Sequence, residues 1–302
     1  MWPEIKFADW QDTLATLHMW TQVVGKIRLV QTPLVNHWWN VPLYVSARGL
    51  TTSAIPYRDG RVFEIEFDFI DHLLVIKCSD GAVTSLALRP QTVADFYAEV
   101  MRALRGLGLE IKIWTMPVEI PDPIRFEDDT IHQSYDAEYA NRVWQALVKI
   151  DEVLKDFRAR FIGKVSPVHF FWGSFDMAVT RFSGRPAPER PGADLMTREA
   201  YSHEVISHGW WPGNKDMDAA FYSYTTPEPV GLAETAAQGI IRPAQTFYSA
   251  ELKEFFLKYD DVRRAGSADG SKSPEKTLMD FCQTTYEAGA NLAAWDRAAL
   301  ER

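Results

Sequence analysis

In the segment VFEIEFDFI, residues 62–70, apolar and acidic side chains alternate strictly from Phe63 to Phe69. A period of two predicts a β-strand with two different faces. The acidic face carries Glu64, Glu66 and Asp68. Opposite the strand predicted over 41–49, this face would suit a cation or a basic substrate. Three carboxylates at this spacing span about 13 Å, which is wide for a single metal ion, so we expect a solvated face.

Other strands are predicted in runs rather than singly between helices. They are the segments VPLYVSARG, HLLVIKC, VTSLAL, LEIKIWTM, VHFFW, FDMAVTRF, YSHEVISHG and AAFYSYTT. Apolar stripes predict helices from Asp9 to Gly25, over TVADFYAEVMRALRGLG, from Asp136 to Ile162, over AQTFYSAELKEFFLKY, and after the cap Ser273. The segment RAGSADGSKS predicts flexibility. Runs of strands disfavour a doubly wound parallel sheet, so the sequence predicts an α+β fold with helices packed on mainly antiparallel sheet.

Several features recur in the same order in the two halves of the chain. Each half has a helix ending in Gly-Lys, then PLVNHWW or PVHFF, then a strand closed by arginine, then RPQTVADFYAEV or RPAQTFYSAEL. This order predicts two fused, similar halves with a pseudo-two-fold relation. We expect one domain over 1–302, made of repeats at about 5–118 and 136–302. A proline-rich acidic linker at 117–135 joins them.

The charge balance and the cysteine count exclude several classes of protein. The 302 residues include 41 acidic and 32 basic side chains, for a net charge of −9. Nucleic acid and anionic membrane surfaces are therefore not expected as partners. Only two cysteines occur, Cys78 and Cys282, without a CxxC motif, which favours reduced thiols in the cytoplasm. No signal peptide or membrane span is expected. The oligomeric state stays open.

Long segments along the chain resemble a bacterial family known only as a domain of unknown function. They include VNHWWNVPLYVSARGLTT, FEIEFDFIDH, WTMPVEIPDPI, FRARFIGKVSPVHFFWGSFDMAVTRFSGR, YSHEVIS and NLAAWDRAALER. The resemblance covers essentially the whole chain. It implies a cytosolic bacterial protein made of this one module. It implies no established activity, cofactor or catalytic residue.

Histidine, carboxylate and tryptophan side chains are concentrated in residues 166–213. The candidate acid–base residues are His169, Asp176, His203 and Glu204. General acid–base catalysis needs such groups in a pocket that excludes water. The candidate substrate-binding residues are Trp172, Arg181, Trp210 and Trp211, with His37 and Arg48 from the first half. A lone histidine such as His169 more often packs in a core, with one ring nitrogen bonded to a backbone carbonyl.

Other motifs give weaker evidence for a chemical role. His203 and His208 in YSHEVISH are five residues apart and cannot form the paired ligands of a zinc-protease helix. Lys26 and Lys164 each follow a glycine at a predicted helix end, where a lysine complements the helix dipole more often than it forms a Schiff base. No metal site and no cofactor is predicted, since nucleotide-binding, serine-hydrolase and CxxC motifs do not occur.

Three functions remain open from the sequence. The first is a cytosolic enzyme that acts by acid–base chemistry on a small, partly apolar molecule. The second is a non-catalytic protein that binds a small ligand with its aromatic side chains. The third is a structural or interaction module whose duplicated surface binds a partner. The position of residues near 37, 169 and 203 relative to one another discriminates between them.

Overall fold

A computed structural model describes residues 2–266 and 272–302. Part of the segment predicted to be flexible, residues 267–271, lies outside the described residues. The described chain contains eight α-helices and two antiparallel sheets of six strands each. The α+β fold expected from the runs of strands is confirmed.

The first sheet is built from the first half of the chain. Its strands are β1 (Tyr44–Val45), β2 (Gly49–Thr51), β3 (Ile55–Pro56), β4 (Val62–Asp68), β5 (Leu73–Cys78) and β6 (Val83–Ala87). The order is β1-β2-β4-β5-β6, and β3 also pairs with β4. Phe63, Ile65 and Phe67 of β4 are buried, as their alternation predicts. Glu66 and Asp68 are buried as well, so the expectation of a solvated acidic face is wrong for these two residues. A tight turn at Gly81, with φ of 89°, joins β5 to β6.

The second sheet is built from the second half. Its strands are β7 (His169–Phe171), β8 (Asp176–Pro186), β9 (His203–Asn214), β10 (Met217–Thr226), β11 (Phe247–Ser249) and β12 (Glu254–Lys258). The order is β11-β12-β10-β9-β8-β7. Leu43 and Phe170 exchange two backbone hydrogen bonds of 2.9 Å each, which link the two sheets beside β1 and β7.

The helices are α1 (Phe7–Gln31), α2 (Val93–Gly106), α3 (Ala137–Ala159), α4 (Leu195–Ala200), α5 (Glu234–Ala237), α6 (Tyr259–Arg263), α7 (Pro274–Leu292) and α8 (Arg297–Leu300). The side chains of Thr92, Asp136 and Ser273 accept hydrogen bonds at the starts of α2, α3 and α7, as N-caps do. Helices α1, α3 and α7 contact one face of the second sheet. No helix among the described residues is long and apolar enough to span a bilayer.

Helix α1 runs six residues beyond the predicted end at Gly25. Gly25 is an interior residue of the helix. The indole of Trp172 packs directly on it. A Cβ atom at this position would lie 2.3 Å from the ring. The glycine therefore serves a close contact between α1 and the second sheet rather than a helix end.

Two other local predictions are wrong. The predicted helix AQTFYSAELKEFFLKY forms β11 and β12, because Glu254–Lys258 pairs with β10 and buries Phe255 and Leu257. Pairing at a sheet edge outweighs helix propensity here. The predicted strand 109–116 has Leu109 and Ile111 buried, yet no strand pairs with it. Alternation thus predicted which side chains are buried but not a sheet partner.

The predicted pseudo-two-fold relation is not confirmed. Lys26 lies inside α1, whereas Lys164 follows α3. The RPQTVADFYAEV segment enters α2, whereas RPAQTFYSAEL leads into two strands. Two of the four recurring features therefore have different structures. The segment 117–135 is tied to the fold rather than loose, since Gln22 bonds both backbone groups of Val118 and Phe126 is buried.

Candidate functional site

A cavity of about 890 Å³ lies on the face of the second sheet that is turned away from α3 and α7. Alternate residues of the strands line it: Asp176, Ala178, Thr180 and Phe182 from β8, Val205, Ser207 and Trp211 from β9, Tyr222 and Tyr224 from β10, and Glu254 and Phe256 from β12. Residues around His37, Glu119, α4 and Leu252 form its walls and rim. Its volume is in the range of cavities that enclose small molecules.

Asp176, the first residue of β8, provides the most deeply buried carboxylate of the cavity. It is 7% exposed. The Ser174 hydroxyl donates to its Oδ1 atom and the Tyr222 hydroxyl donates to its Oδ2 atom, both at 2.5 Å. Burial raises the pKa of Asp176, and these two hydrogen bonds oppose that rise. Asp176 is therefore held in one orientation with both oxygens bonded.

Glu254 provides a second carboxyl group, which is half-buried at the start of β12. Burial and the nearby charge of Asp176 raise its pKa to about 7. Among the described residues, no side chain forms a hydrogen bond or ion pair with the Glu254 carboxyl group. Such a group can gain or release a proton close to neutral pH.

Glu119 lines the cavity and is exposed to solvent. Desolvation of its carboxyl group and the charge of Asp176 raise its pKa. Carboxyl groups from three distant parts of the chain thus line one cavity, and the charge of Asp176 raises the pKa of the other two. No lysine or arginine is among the described residues that line the cavity.

Hydroxyl groups continue from Asp176 along the floor of the cavity. The rings of Tyr222 and Tyr224 are stacked, with centroids 6.2 Å apart. The Tyr224 hydroxyl lies 3.1 Å from that of Tyr201, and Thr180 bonds Ser207 at 2.9 Å. The Tyr222 ring crosses β9 over Gly209, where a Cβ atom would lie 2.3 Å from the phenol. The glycine is thus needed for the bond between Tyr222 and Asp176.

His37 forms the end of the cavity opposite Asp176. Its Nδ1 atom lies 3.0 Å from the backbone oxygen of Glu199 in α4, and the Lys164 amine lies 2.6 Å from Nε2. This network fits a neutral ring that donates from Nδ1 and accepts from Lys164 at Nε2. Burial and the Lys164 charge lower the pKa of His37. His37 therefore anchors α4, the helix that covers part of the cavity.

Several positive φ angles lie beside the cavity. Of the ten described residues other than glycine with this conformation, five line the cavity or adjoin a residue that does: His37 (58°), Trp38 (61°), Glu119 (59°), Phe175 (57°) and Lys253 (60°). Glu119 is such a residue, and Asp176 and Glu254 each directly follow one. This conformation costs a side chain about 1–3 kcal/mol and persists where the surrounding structure enforces it, often at functional sites.

The structure places four of the predicted site residues on the cavity. These are Asp176, Trp172, Trp211 and His37. The other six do not line it: His169, His203, Glu204, Arg181, Trp210 and Arg48. The predicted residues are therefore spread over both faces and the surroundings of the second sheet, and Arg48 lies at the first sheet.

His169 is enclosed in the core at 1% exposure. Its ring packs against Trp39, Tyr44 and Phe171, with centroids 5.2–5.9 Å apart. Its Nε2 atom is buried without a hydrogen-bond partner among the described residues. Burial lowers the pKa of His169 to about 3. It is therefore a neutral core residue in this structure, one ring away from the cavity wall formed by Trp39.

The rings of His37 and His203 are in contact, with centroids 5.9 Å apart. Trp39 contacts both His37 and His169. His203 bonds Ser202 beside this contact. Glu204 instead forms an ion pair with Arg185 at 2.7 Å. The two histidines of YSHEVISH separate as expected for a strand, since His208 points into the core and bonds Thr285.

Arg181, Trp210 and Arg48 have structural contacts. The Arg181 guanidinium lies 3.5 Å from the ring centroid of Phe157 and donates to the backbone oxygen of that residue. Trp210 is fully buried on the helix side of β9. Arg48 bonds Asp68 at 2.5 Å in the first sheet.

The two lysines considered for Schiff-base chemistry lie outside the cavity wall. Lys26 is buried inside α1, and its Nζ atom is 4.6 Å from the ring centroid of Trp114 and 6.0 Å from that of Trp172. Burial lowers the pKa of Lys26 to about 8. Lys164 bonds His37, as described above. Neither lysine is at a helix C-terminus, so the predicted interaction with a helix dipole does not apply.

Sequence reasoning missed Glu119, Tyr222, Tyr224 and Glu254. Tyr222 and Tyr224 were on a predicted strand with the correct period, but nothing in the sequence indicated which face they occupy. Glu254 was on a segment predicted as a helix, and Glu119 was in the predicted linker. Among the described residues, no group of three His, Cys, Asp or Glu side chains is arranged to hold a metal ion.

The model of a protein family matches residues 2–302 of the chain. The chain belongs to the DUF5996 family. That family is described only as a family of unknown function. No curated protein and no solved structure matches the chain. The geometry of the cavity is therefore the main guide to what this DUF5996 protein does.

Proposed function

We propose that the cavity is the active site of an enzyme that acts by acid–base chemistry on a small, partly apolar molecule. Glu254 is the group that donates or accepts the proton. Asp176, oriented by Ser174 and Tyr222, is the second carboxylate. This role replaces the one expected for His169, whose ring does not reach the cavity.

The observation that carries the proposal is the state of the Glu254 carboxyl group. It faces an aromatic cavity, its pKa is about 7, and it has no hydrogen-bond or ion-pair partner among the described residues. A catalytic group works best when its pKa is near the working pH, and it needs a free oxygen to reach the substrate. A purely structural carboxylate would be paired with donors.

Mass-spectrometric profiling of a small-molecule cell extract tests this proposal. Extract is incubated with wild type, with Glu254→Gln and with Glu204→Gln, whose carboxylate pairs with Arg185 outside the cavity. We expect wild type and Glu204→Gln to deplete the same compound and Glu254→Gln to leave it intact. Equal depletion by Glu254→Gln would contradict the assignment of Glu254.

A non-catalytic binding protein is the second candidate. It is favoured by the full bonding of Asp176 and His37, which leaves fewer free groups for proton transfer. In that case compounds from the extract raise the unfolding temperature of the protein and none is consumed. Thermal-shift measurements on the same samples distinguish the two functions.

We also propose that the protein works in the cytoplasm and not on nucleic acid or membranes. Cys78 and Cys282 are both buried and unpaired, which suits a reducing compartment. The net charge of −9 and the acidic cavity disfavour phosphate-bearing partners.

A further inference from the structure

The carboxylates that line the cavity have no lysine or arginine beside them in the part of its lining that the structure describes. Glu119, Asp176, Asp216, Glu251 and Glu254 line it, and no lysine or arginine among the described residues does. Among the described lining residues, the only other basic side chain is that of His37, whose pKa is lowered. A ligand that enters this space therefore meets a negative potential.

The walls next to these carboxyl groups are aromatic. Trp172, Trp211, Tyr222, Tyr224 and Phe256 surround the end of the cavity that contains Asp176 and Glu254. The faces of such rings attract cations at distances up to about 6 Å. A carboxylate beside aromatic rings is the combination that recognises an ammonium group attached to an apolar body.

Two lysine amines of the protein lie near aromatic rings that line the cavity. The Lys26 amine lies 6.0 Å from the ring centroid of Trp172. At the other end, the Lys164 amine lies 5.5 Å from that of Trp39 and 4.9 Å from that of Phe182. Neither lysine is among the described residues that line the cavity, so neither occupies its interior.

We propose that the ligand of this cavity is an organic ammonium ion, an amine that carries an apolar or aromatic group. The ammonium group binds between Glu254 and Asp176, and the apolar group packs against Trp172 and Trp211. This inference rests on the proposed function, because it names the class of molecule on which that site acts. A metal ion is a poorer match than an amine, since no set of three metal-ligating side chains is formed among the described residues.

Three probes with one skeleton and different charges test the ligand class. They are phenethylamine, the neutral 2-phenylethanol and the anionic 3-phenylpropanoate. Affinities are measured by titration calorimetry near neutral pH for wild type, Glu254→Gln and the control Glu204→Gln. We expect phenethylamine to bind wild type at least about tenfold more tightly than 2-phenylethanol, and 3-phenylpropanoate to bind most weakly.

In Glu254→Gln this preference for the amine should fall by about tenfold, while 2-phenylethanol binds as before. The unchanged affinity for the neutral probe shows that the variant is folded and that its cavity is intact. Glu204→Gln should match wild type with all three probes.

Two outcomes overturn the ligand class and can be told apart. If 2-phenylethanol or 3-phenylpropanoate binds wild type as tightly as phenethylamine, or if Glu254→Gln retains the preference for the amine, the cavity binds small molecules but the ammonium assignment is wrong. If none of the three probes binds, both the ligand class and the proposed small-molecule site fail.

Discussion

The two sheets each carry a set of carboxylates, and the two sets differ in their partners. On the first sheet Glu66 bonds Ser46 and Lys77, Asp68 bonds Arg48, and Glu64 bonds Thr51. On the second sheet the cavity carboxylates face one another and aromatic rings, without lysine or arginine. Two carboxylates of the first sheet are thus paired with lysine or arginine, whereas the carboxylates of the cavity are not paired in this way among the described residues.

The difference is visible in the direction of the pKa shifts. Hydrogen bonds from Arg48 and from the backbone of Asp71 and Ile70 outweigh burial and lower the pKa of Asp68. Burial raises the pKa of Asp176, and burial together with the charge of Asp176 raises the pKa of Glu254. A carboxylate paired with a cation stabilises the fold in its charged form, whereas a desolvated one without a cation is stabilised by a proton or by a bound cation. The first set is structural, and the second is the better candidate for function.

The largest effect is expected when the cavity set loses a charge. Asp176→Asn should lower kcat/KM of the reaction found by extract profiling by about 100-fold, a typical contribution of a positioned acid–base group. The amide can still accept from Tyr222, so the cavity should persist. Steady-state kinetics with the depleted compound measures the effect, and an activity within twofold of wild type would remove Asp176 from the mechanism.

Substitution of a carboxylate on the first sheet should lower the stability of the protein rather than its activity. Asp68→Asn should lower the free energy of unfolding by about 1–3 kcal/mol at pH 7, the usual worth of hydrogen bonds to a buried charge. Asp71→Asn is the matched control, because Asp71 also pairs with Arg48 but is 64% exposed. It should cost less than about 1 kcal/mol. Urea unfolding checks both, and equal losses would contradict the distinction by burial.

The pH dependence of stability should have opposite signs for the two sets. The folded-state pKa of Glu254 is about 7 against 4.5 for the free group. Its protonated form therefore adds stability that is complete below pH 4.5 and is lost as the pH rises through about 7. We expect a loss of about 1–3 kcal/mol over this window in wild type and a smaller one in Glu254→Gln, where Asp176 and Glu119 still titrate.

Asp68 should behave in the reverse way. Its pKa is lowered from 3.8, so its contribution is present above pH 3.8 and is lost as the pH falls through the folded-state value. Urea titrations from pH 3 to 9 on wild type, Glu254→Gln and Asp68→Asn separate the two contributions. A Glu254→Gln curve parallel to that of wild type would show that Glu254 is not perturbed.

The smallest functional effect is expected at His169, which belongs to neither set. His169→Leu should change ligand affinity and kcat/KM by at most about twofold, since the ring does not line the cavity. The folded-state pKa of about 3 means that His169 contributes stability that is lost as the pH falls from 6.5 towards 3, so the variant should lose less stability over this range than wild type. A large loss of activity at unchanged stability would return His169 to the site.

Local sequence patterns determined much of the secondary structure of this protein. The alternation in 62–70 predicts β4 and the burial of its apolar face, Asp136 is the predicted start of α3, and Ser273 is the predicted N-cap of α7. These features depend on residues within one or two turns or along one strand, where periodicity and capping act directly. The runs of strands likewise predict the α+β class.

Only the tertiary structure decided which residues form the cavity. Glu119, Asp176 and Glu254 come from a predicted linker, a predicted strand and a predicted helix, and the pairing of β12 with β10 brings the third of them to the site. The side of the second sheet that α1, α3 and α7 cover decides that Asp176 faces the cavity while Arg181 and Trp210 face the core. Alternation along a strand separates two faces but cannot say which one the rest of the chain will bury.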